Sequence, residues 1–267
     1  MNRLLPVLML LAAPALAQDR IPSHCFAVAQ GQDSVQRAAF GDTLAPDRVR
    51  IHYLGHASFA IETPGGRLAV TDYTGYLGNP DVVPDVVTMN NAHDTHWTAA
   101  PDPRIPHVLE GWANEGGPRL HELDLGEMLV RNVHTDVRSR YGDGVRAEGN
   151  SIFVFEVAGL CIGHLGHLHH LPSDEQYASI GRLDVVMVPV DGGYTMAVAD
   201  MAQVVRRLRS SVVIPMHWFS GASLQVFLTD MATELEVVET GGPAIDLSLR
   251  DLPGRPTILV LEPALIP

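Results

Sequence analysis

Four histidines fall within eight residues in the stretch Gly163-His164-Leu165-Gly166-His167-Leu168-His169-His170. Two further groups flank it. His93 and His96 sit in Asn91-Ala92-His93-Asp94-Thr95-His96-Trp97, and His217 ends the apolar run Val212-Val213-Ile214-Pro215-Met216. Neutral imidazole is the commonest side-chain metal ligand near neutral pH. Groups so far apart in the chain can serve one ion only if the strands that end in them lie side by side. The chemistry such a centre offers is hydrolysis, in which an ion polarises a carbonyl or phosphoryl oxygen and activates water at a pKa near 7. Other routes are poorly supplied. All 18 basic residues are Arg, so Schiff-base and Lys-nucleophile mechanisms are excluded, and no Ser or Cys has an evident activating partner.

The elements that must position these residues are legible as alternation and apolar runs. Val49–Leu54 and Ser58–Glu62 alternate as strands, and Thr63-Pro64-Gly65-Gly66 turns the chain into a third at Arg67–Thr71. Asp85–Met89 is a strand that leads directly into the first His group. Residues 97–118 are rich in Pro and Gly and are expected to form a loop region. Strands return at Met128–Val133, Ser151–Val157 and Leu160–Ile162. Pro172 followed by Ser173-Asp174-Glu175-Gln176 is a helix start. Asp184–Val190 and Val212–Met216 are buried strands, separated by helical spacing over Met196–Leu208. Hairpins first and β-α-β units afterwards predict two sheets packed together with helices outside.

Composition narrows the setting. Arg3, the apolar run Leu4–Ala15 and the small-x-small sequence Ala15-Leu16-Ala17 form an export signal. The run is shorter than the roughly 20 residues a membrane span needs. Residues 1–17 are therefore expected to be a signal peptide, 18–47 an N-terminal extension and 48–267 one α/β domain. The expected location is the periplasm, with no membrane attachment after cleavage. A formal charge of −13 makes nucleic acid an unsuitable partner. An oxidising compartment permits a disulfide between Cys25 and Cys161, but sequence leaves open whether these two thiols meet.

Several of these segments, in this order, resemble the metallo-β-lactamase fold superfamily, and among its branches the ascorbate-6-phosphate lactonase-like hydrolases. The resemblance covers about residues 48–230. Leu54-Gly55-His56-Ala57-Ser58-Phe59 is similar to the branch's opening strand and turn, and Thr71-Asp72-Tyr73 to its third strand with an acidic end. Asp85-Val86-Val87-Thr88 leads to the place of the His-x-His-x-Asp-His motif. His164-Leu165-Gly166-His167-Leu168 resembles His-Leu-Gly-Asp-Leu, and Ile214-Pro215-Met216-His217 the last ligand strand. The implied fold is a four-layer αβ/βα sandwich. The departures are substantial. With His96 as the last His of the motif, Asn91 replaces its first His, Thr95 its Asp, and His167 the Asp that bridges two metals; a one-residue slip would put Asp94 in place of Thr95.

The resemblance implies two ligand sets. His96, His167 and His217 form the main one, three imidazoles that leave zinc an open position. His93, His134 and Asn91 form a weaker second one. Loss of the bridging carboxylate favours one ion over two, zinc or another first-row divalent metal. Asp72 is a candidate to orient a ligand His, and His164 to hydrogen-bond behind the ligands. His56 is read as a structural turn residue. Tyr194, after Asp191-Gly192-Gly193, is a candidate substrate contact, and Arg138 and Arg140 are candidates for binding an anionic group. The expected function is hydrolysis of a small ester, lactone or phosphoester. The alternative is a non-enzymatic metal-binding or sensing protein on an altered hydrolase fold.

Overall fold

The computed structural model describes residues 23–25, 36–37, 39–139, 144–219 and 221–267. The expected signal segment 1–17 and Arg140 lie outside the described residues. Among the described residues, fifteen strands and three α-helices follow in chain order. They are β1 Gln36–Arg37, β2 Val49–Gly55, β3 Ser58–Glu62, β4 Leu68–Val70, β5 Val86–Met89, β6 His107–Glu110, β7 Glu122–Asp124, β8 Met128–Arg138, β9 Val145–Val157 and β10 Leu160–His164. The remainder are α1 Asp174–Ile180, β11 Val185–Pro189, α2 Val198–Leu208, β12 Val212–Met216, α3 Ala222–Met231, β13 Glu236–Glu239, β14 Ala244–Leu247 and β15 Thr257–Val260.

Two sheets form, ordered β1-β14-β2-β3-β4-β5-β6 and β13-β15-β12-β11-β10-β9-β8-β7. Strand periodicity decides what lies between them. Val49, Ile51 and Tyr53 of β2 and Phe59 and Ile61 of β3 meet Phe153 and Phe155 of β9, Ile162 of β10, Met187 of β11 and Ile214 of β12 in a closed core. The alternate residues of the second sheet, Val154, Cys161, Val186 and Val213, face the other way and pack on α1, α2 and α3. The outer face of the first sheet is covered differently. Val70, Val87 and Met89 pack there against Tyr73, Leu77, Ile105 and the C-terminal Ile266, so irregular segments form that layer among the described residues. The two-sheet sandwich expected from sequence is present.

The polar positions of β2 obey the same alternation. Arg50 points away from the inter-sheet core, is 1% exposed, and pairs through Nε and Nη2 with Asp246 at 2.9 Å each. Asp246 is its direct cross-strand partner on β14. A fully buried guanidinium is tolerable only with such a matched carboxylate.

Local signals held where they were strong. Ser173 caps α1 with a reciprocal bond to Gln176, the capping box its sequence predicts. The loop expected over 97–118 contains β6, a short parallel edge strand paired with β5. Four residues bounded by Pro106 and Gly111 are too few to display a period. β8 and β9 extend well past the apolar segments that mark them, because their far ends pair as a hairpin that leaves the core and passes over the cleft described below.

Cys25 and Cys161 form a disulfide, with a Cα–Cα distance of 5.7 Å and both residues fully buried. It joins the described N-terminal segment to β10. Ser23 Oγ and the His24 N–H both donate to the Glu156 carboxylate beside it.

Candidate metal centre

One end of the sandwich gathers the carboxyl ends of parallel strands from both sheets, the usual place for a site in such folds. β4 and β5 run parallel in the first sheet, and β10, β11 and β12 in the second. Asp72 follows β4, His96 follows β5, His167 follows β10, Asp191 follows β11 and His217 follows β12. His56 lies in the β2–β3 turn, beside an irregularity in register between Tyr53 and Gly55. Three of these residues, His56, Asp72 and His217, hold left-handed backbone at φ 53°, 42° and 58°. Such strain persists only where the surroundings over-determine it. The His217 N–H donates to the His56 carbonyl at 2.7 Å, and Tyr53 Oη donates to the same oxygen at 2.8 Å.

His96 is the hub. Its Nε2 lies 2.9 Å from His167 Nδ1 and 3.1 Å from His217 Nε2. The ligand nitrogens of His56, His96 and His217 all fall within 4.8 Å of one another. Two carboxylates lie behind these rings. Asp72 Oδ2 is 2.7 Å from His96 Nδ1, and Asp191 Oδ2 is 2.9 Å from His217 Nδ1. The Asp72 contact holds a proton on His96 Nδ1 and leaves its Nε2 lone pair facing the neighbouring rings, the usual support for a metal-ligating His, while Asp191 lies at ion-pair distance behind His217. Nitrogens on a tetrahedral zinc ion stand about 3.3 Å apart, given bonds near 2.0–2.1 Å. The two separations from His96 Nε2 are within a few tenths of an ångström of that, and the donor set fits a first-row divalent ion.

The electrostatics keep the rings of His56, His96 and His167 neutral, which is the ligand form. Burial pushes His96 and His167 well below the ordinary imidazole value, and the neighbouring rings add to it. His56 is lowered to about 3 by burial and then by His217, His96 and His93. Burial raises Asp72 to about 6, against the pull of His164 and the Asn90 N–H. Burial would raise Asp191 too, but hydrogen bonds from His217, Thr195 and Gly193 outweigh it and hold the carboxyl low.

The other expected residues divide clearly. His164 uses both ring nitrogens within the fold. Nδ1 accepts from Asn90 Nδ2 at 3.1 Å, and Nε2 donates to the Ala57 carbonyl at 2.7 Å, tying β10 to the first sheet. Asn90 in turn donates its N–H to Asp72 at 2.8 Å, so His164, Asn90, Asp72 and His96 form one chain across the sandwich. Gly166 makes this approach possible: at φ 60° a Cβ there would lie 2.4 Å from Asn90 Nδ2.

The second ligand set expected from sequence is not assembled. His134 sits on β8 with Nε2 donating to the Arg119 carbonyl at 3.0 Å and Nδ1 at 3.3 Å from Ser151 Oγ. Its strand lies next to the edge of the second sheet, with β9 and β10 between it and β11, and its ring bonds to Ser151 and the Arg119 segment, not to His96. Asn91 Oδ1 accepts from Arg146 at 3.2 Å. His93 stacks on His167 at 5.4 Å between ring centroids, with Nδ1 3.1 Å from Thr95 Oγ1. Asp94 and Thr95 are exposed at the rim.

Sequence reasoning passed over His56 as a ligand-side residue and gave Asp191 no role. Asp191 had a signal: it directly follows the apolar run Asp184–Val190, as His217 follows Val212–Met216.

A cavity of about 850 Å³ opens over the cluster, lined by His93, His167, His169, Tyr194, His217 and Phe219 among others. A smaller one of about 390 Å³ lies on the His56 side, and both are bordered by Asp94 and Thr95. Tyr194, 70% exposed, packs edge-on to Phe219 at 5.4 Å. Arg138 Nη2 donates to the carbonyls of Gly193, Tyr194 and Thr195 at 2.7–2.9 Å. Its guanidinium therefore clamps the loop that carries Tyr194.

Comparison with known proteins agrees with the fold. A family model described as a beta-lactamase superfamily domain matches residues 50–217. A UPF0173 metal-dependent hydrolase of Cupriavidus metallidurans is 25% identical over 230 residues, covering 68% of this chain and 77% of its own length. Another, from Carboxydothermus hydrogenoformans, is 24% identical over 193 residues, covering 64% and 84%. Among solved structures, a Thermotoga maritima protein described provisionally as a Zn-dependent hydrolase of the metallo-β-lactamase superfamily is similar at a TM-score of 0.58 and 27% identity, covering 80% of this chain and 98% of that one. Igni18, a metallo hydrolase from Ignicoccus hospitalis, shares the fold at a TM-score of 0.51 and 19% identity, covering 70% and 91%.

Proposed function

The chain belongs to the beta-lactamase superfamily domain family, and we propose that it is a metal-dependent hydrolase of a small ester, lactone or phosphoester. The observation that carries this reading is the convergence of His96 Nε2, His167 Nδ1 and His217 Nε2 from three separate segments, at 2.9 and 3.1 Å from the hub, beneath an open cavity that His167 and His217 line. These residues would hold one ion, zinc or another first-row divalent metal. A bound ion of this kind supplies Lewis acidity and lowers the pKa of water, the requirements of hydrolysis near neutral pH. The protein's own part is positional. Asp72 holds the proton of His96 away from the cluster, and Asp191 places a negative charge behind His217. Tyr194 and Phe219 offer an aromatic wall against which a substrate would lie.

Export to the periplasm is part of the proposal. It is supported by the signal-like residues 1–17 and by the buried Cys25–Cys161 disulfide, which suits an oxidising compartment. An intact amino terminus on protein recovered from cells would contradict it.

The test is elemental analysis of the purified protein, then hydrolysis assays across esters, lactones and phosphodiesters before and after chelation. One ion per chain and chelator-sensitive hydrolysis are expected. Two ions per chain would overturn the single-ion reading, and hydrolysis that survives metal removal would overturn the mechanism. A fully loaded protein inert on all three classes would favour the metal-binding, non-enzymatic alternative.

A further inference from the structure

His56 has no place among the ligand positions that the resemblance implies, yet the fold places it against the cluster. The irregular register at Tyr53 and Gly55 turns the chain out of β2, and His56 takes a left-handed conformation at φ 53°. Its carbonyl is fixed by two donors, the His217 N–H and Tyr53 Oη, so its backbone is tied directly to the backbone of His217. The ring lies 4.1 Å from that of His217 and 5.2 Å from that of His96, centroid to centroid. Its Nε2 is buried and makes no hydrogen bond, although buried polar atoms are nearly always paired. The ligand nitrogens of His56, His96 and His217 are mutually within 4.8 Å.

We propose that His56 is a fourth imidazole donor to the ion held by His96, His167 and His217, making an all-nitrogen centre of neutral ligands. The inference rests on the metal-binding reading above. Such a donor set suits zinc, cobalt, nickel or copper and disfavours magnesium, calcium and manganese, which prefer oxygen. The negative charge that a coordinating carboxylate would supply comes instead from Asp72 and Asp191, one shell behind the nitrogens. Access remains compatible with hydrolysis. His56 lines the smaller cavity, while the larger one opens over His167 and His217, and zinc can expand to five ligands.

The test uses the full chain loaded with Co²⁺ or Zn²⁺. Imidazole donors are counted by X-ray absorption, the Co²⁺ visible spectrum is recorded, and affinity is measured by competition with a chelator. Two variants guard against misfolding, since Gly and Asn both accept left-handed backbone: His56→Gly and His56→Asn, each checked by circular dichroism. The expected results are four imidazoles in the wild type and three in either variant, a changed Co²⁺ spectrum, and an affinity at least about tenfold weaker, no less than the loss typical of outer partners. The inference is overturned if either folded variant keeps the wild-type spectrum, imidazole count and affinity while His217→Ala loses binding. In that case the metal-binding reading survives alone. A wild-type protein that takes up neither ion overturns both.

Discussion

Replacing Asp72 with Asn separates a residue that sets protons from one that merely fills space. Asp72 Oδ1 accepts the Asn90 N–H at 2.8 Å, and Oδ2 faces His96 Nδ1 at 2.7 Å. Asn tolerates the φ of 42° found here. With its amide oxygen kept on the Asn90 N–H, its NH₂ must donate to His96 Nδ1. The His96 proton is then forced onto Nε2, where it points at His167 and His217 and removes the lone pair. Disruption of such an outer partner weakens metal affinity by about 10–100-fold, or about 1.4–2.8 kcal/mol. In excess zinc that loss subtracts from the stabilisation by ligand, and at about 2–4 °C per kcal/mol it lowers the zinc-induced rise in Tm by roughly 3–11 °C. The metal-free protein behaves differently. Its hydrogen bonds are equal in number and a buried charge is gone, so its Tm should hold or rise. Thermal unfolding of both proteins, with chelator and with excess zinc, reads both quantities. A variant that is several kcal/mol less stable without metal, yet binds zinc as tightly as the wild type, would refute the argument and make Asp72 a packing residue.

His134 and His167 make a contrast: His134→Ala should leave metal stoichiometry unchanged at a cost of about 1 kcal/mol for its bond to the Arg119 carbonyl, whereas His167→Ala should lose tight binding, both read by elemental analysis and chelator competition. Joint replacement of Cys25 and Cys161 by Ala releases a loop of sequence separation 136, and chain entropy puts the loss near 5 kcal/mol, with about 2–5 typical of native bonds. Denaturant unfolding measures it, and a change below about 0.5 kcal/mol would mean that the bond does not constrain the unfolded chain. Acid should unfold the protein partly through Glu156. Burial raises its carboxyl, but Ser23, Arg131 and the His24 N–H outweigh that and hold it below its ordinary 4.5. Its contribution is therefore complete above pH 4.5 and fades as pH falls through the lower folded value. Glu156→Gln should flatten the stability curve in that window, and an unchanged slope below pH 4.5 would remove Glu156 from the account.

Much of the architecture was written locally. Alternation marked β2 and β3 because one face of each must enter the inter-sheet core, as Ile51 and Phe59 do. Unbroken apolar runs marked β11 and β12 because helices cover their second face, where Val186 and Val213 lie. The capping box at Ser173 fixed the start of α1 within a single turn. Clustering of His96, His167 and His217 at the ends of such runs pointed to the centre, since a strand end is where a side chain can leave a sheet and meet another. What tertiary structure decided was everything that depends on which strands are neighbours. Parallel alignment of β11 with β12 brings Asp191 to His217, and a hairpin irregularity brings His56 against His217 and His96. The same lateral order keeps His134 out, because its strand lies on the far side of β9 and β10 from β11. Residues 25 and 161 met only when the N-terminal segment folded onto β10. A one-dimensional pattern records which face a side chain takes, since that is set within two residues; who stands opposite it is set by strand order, which the pattern does not contain.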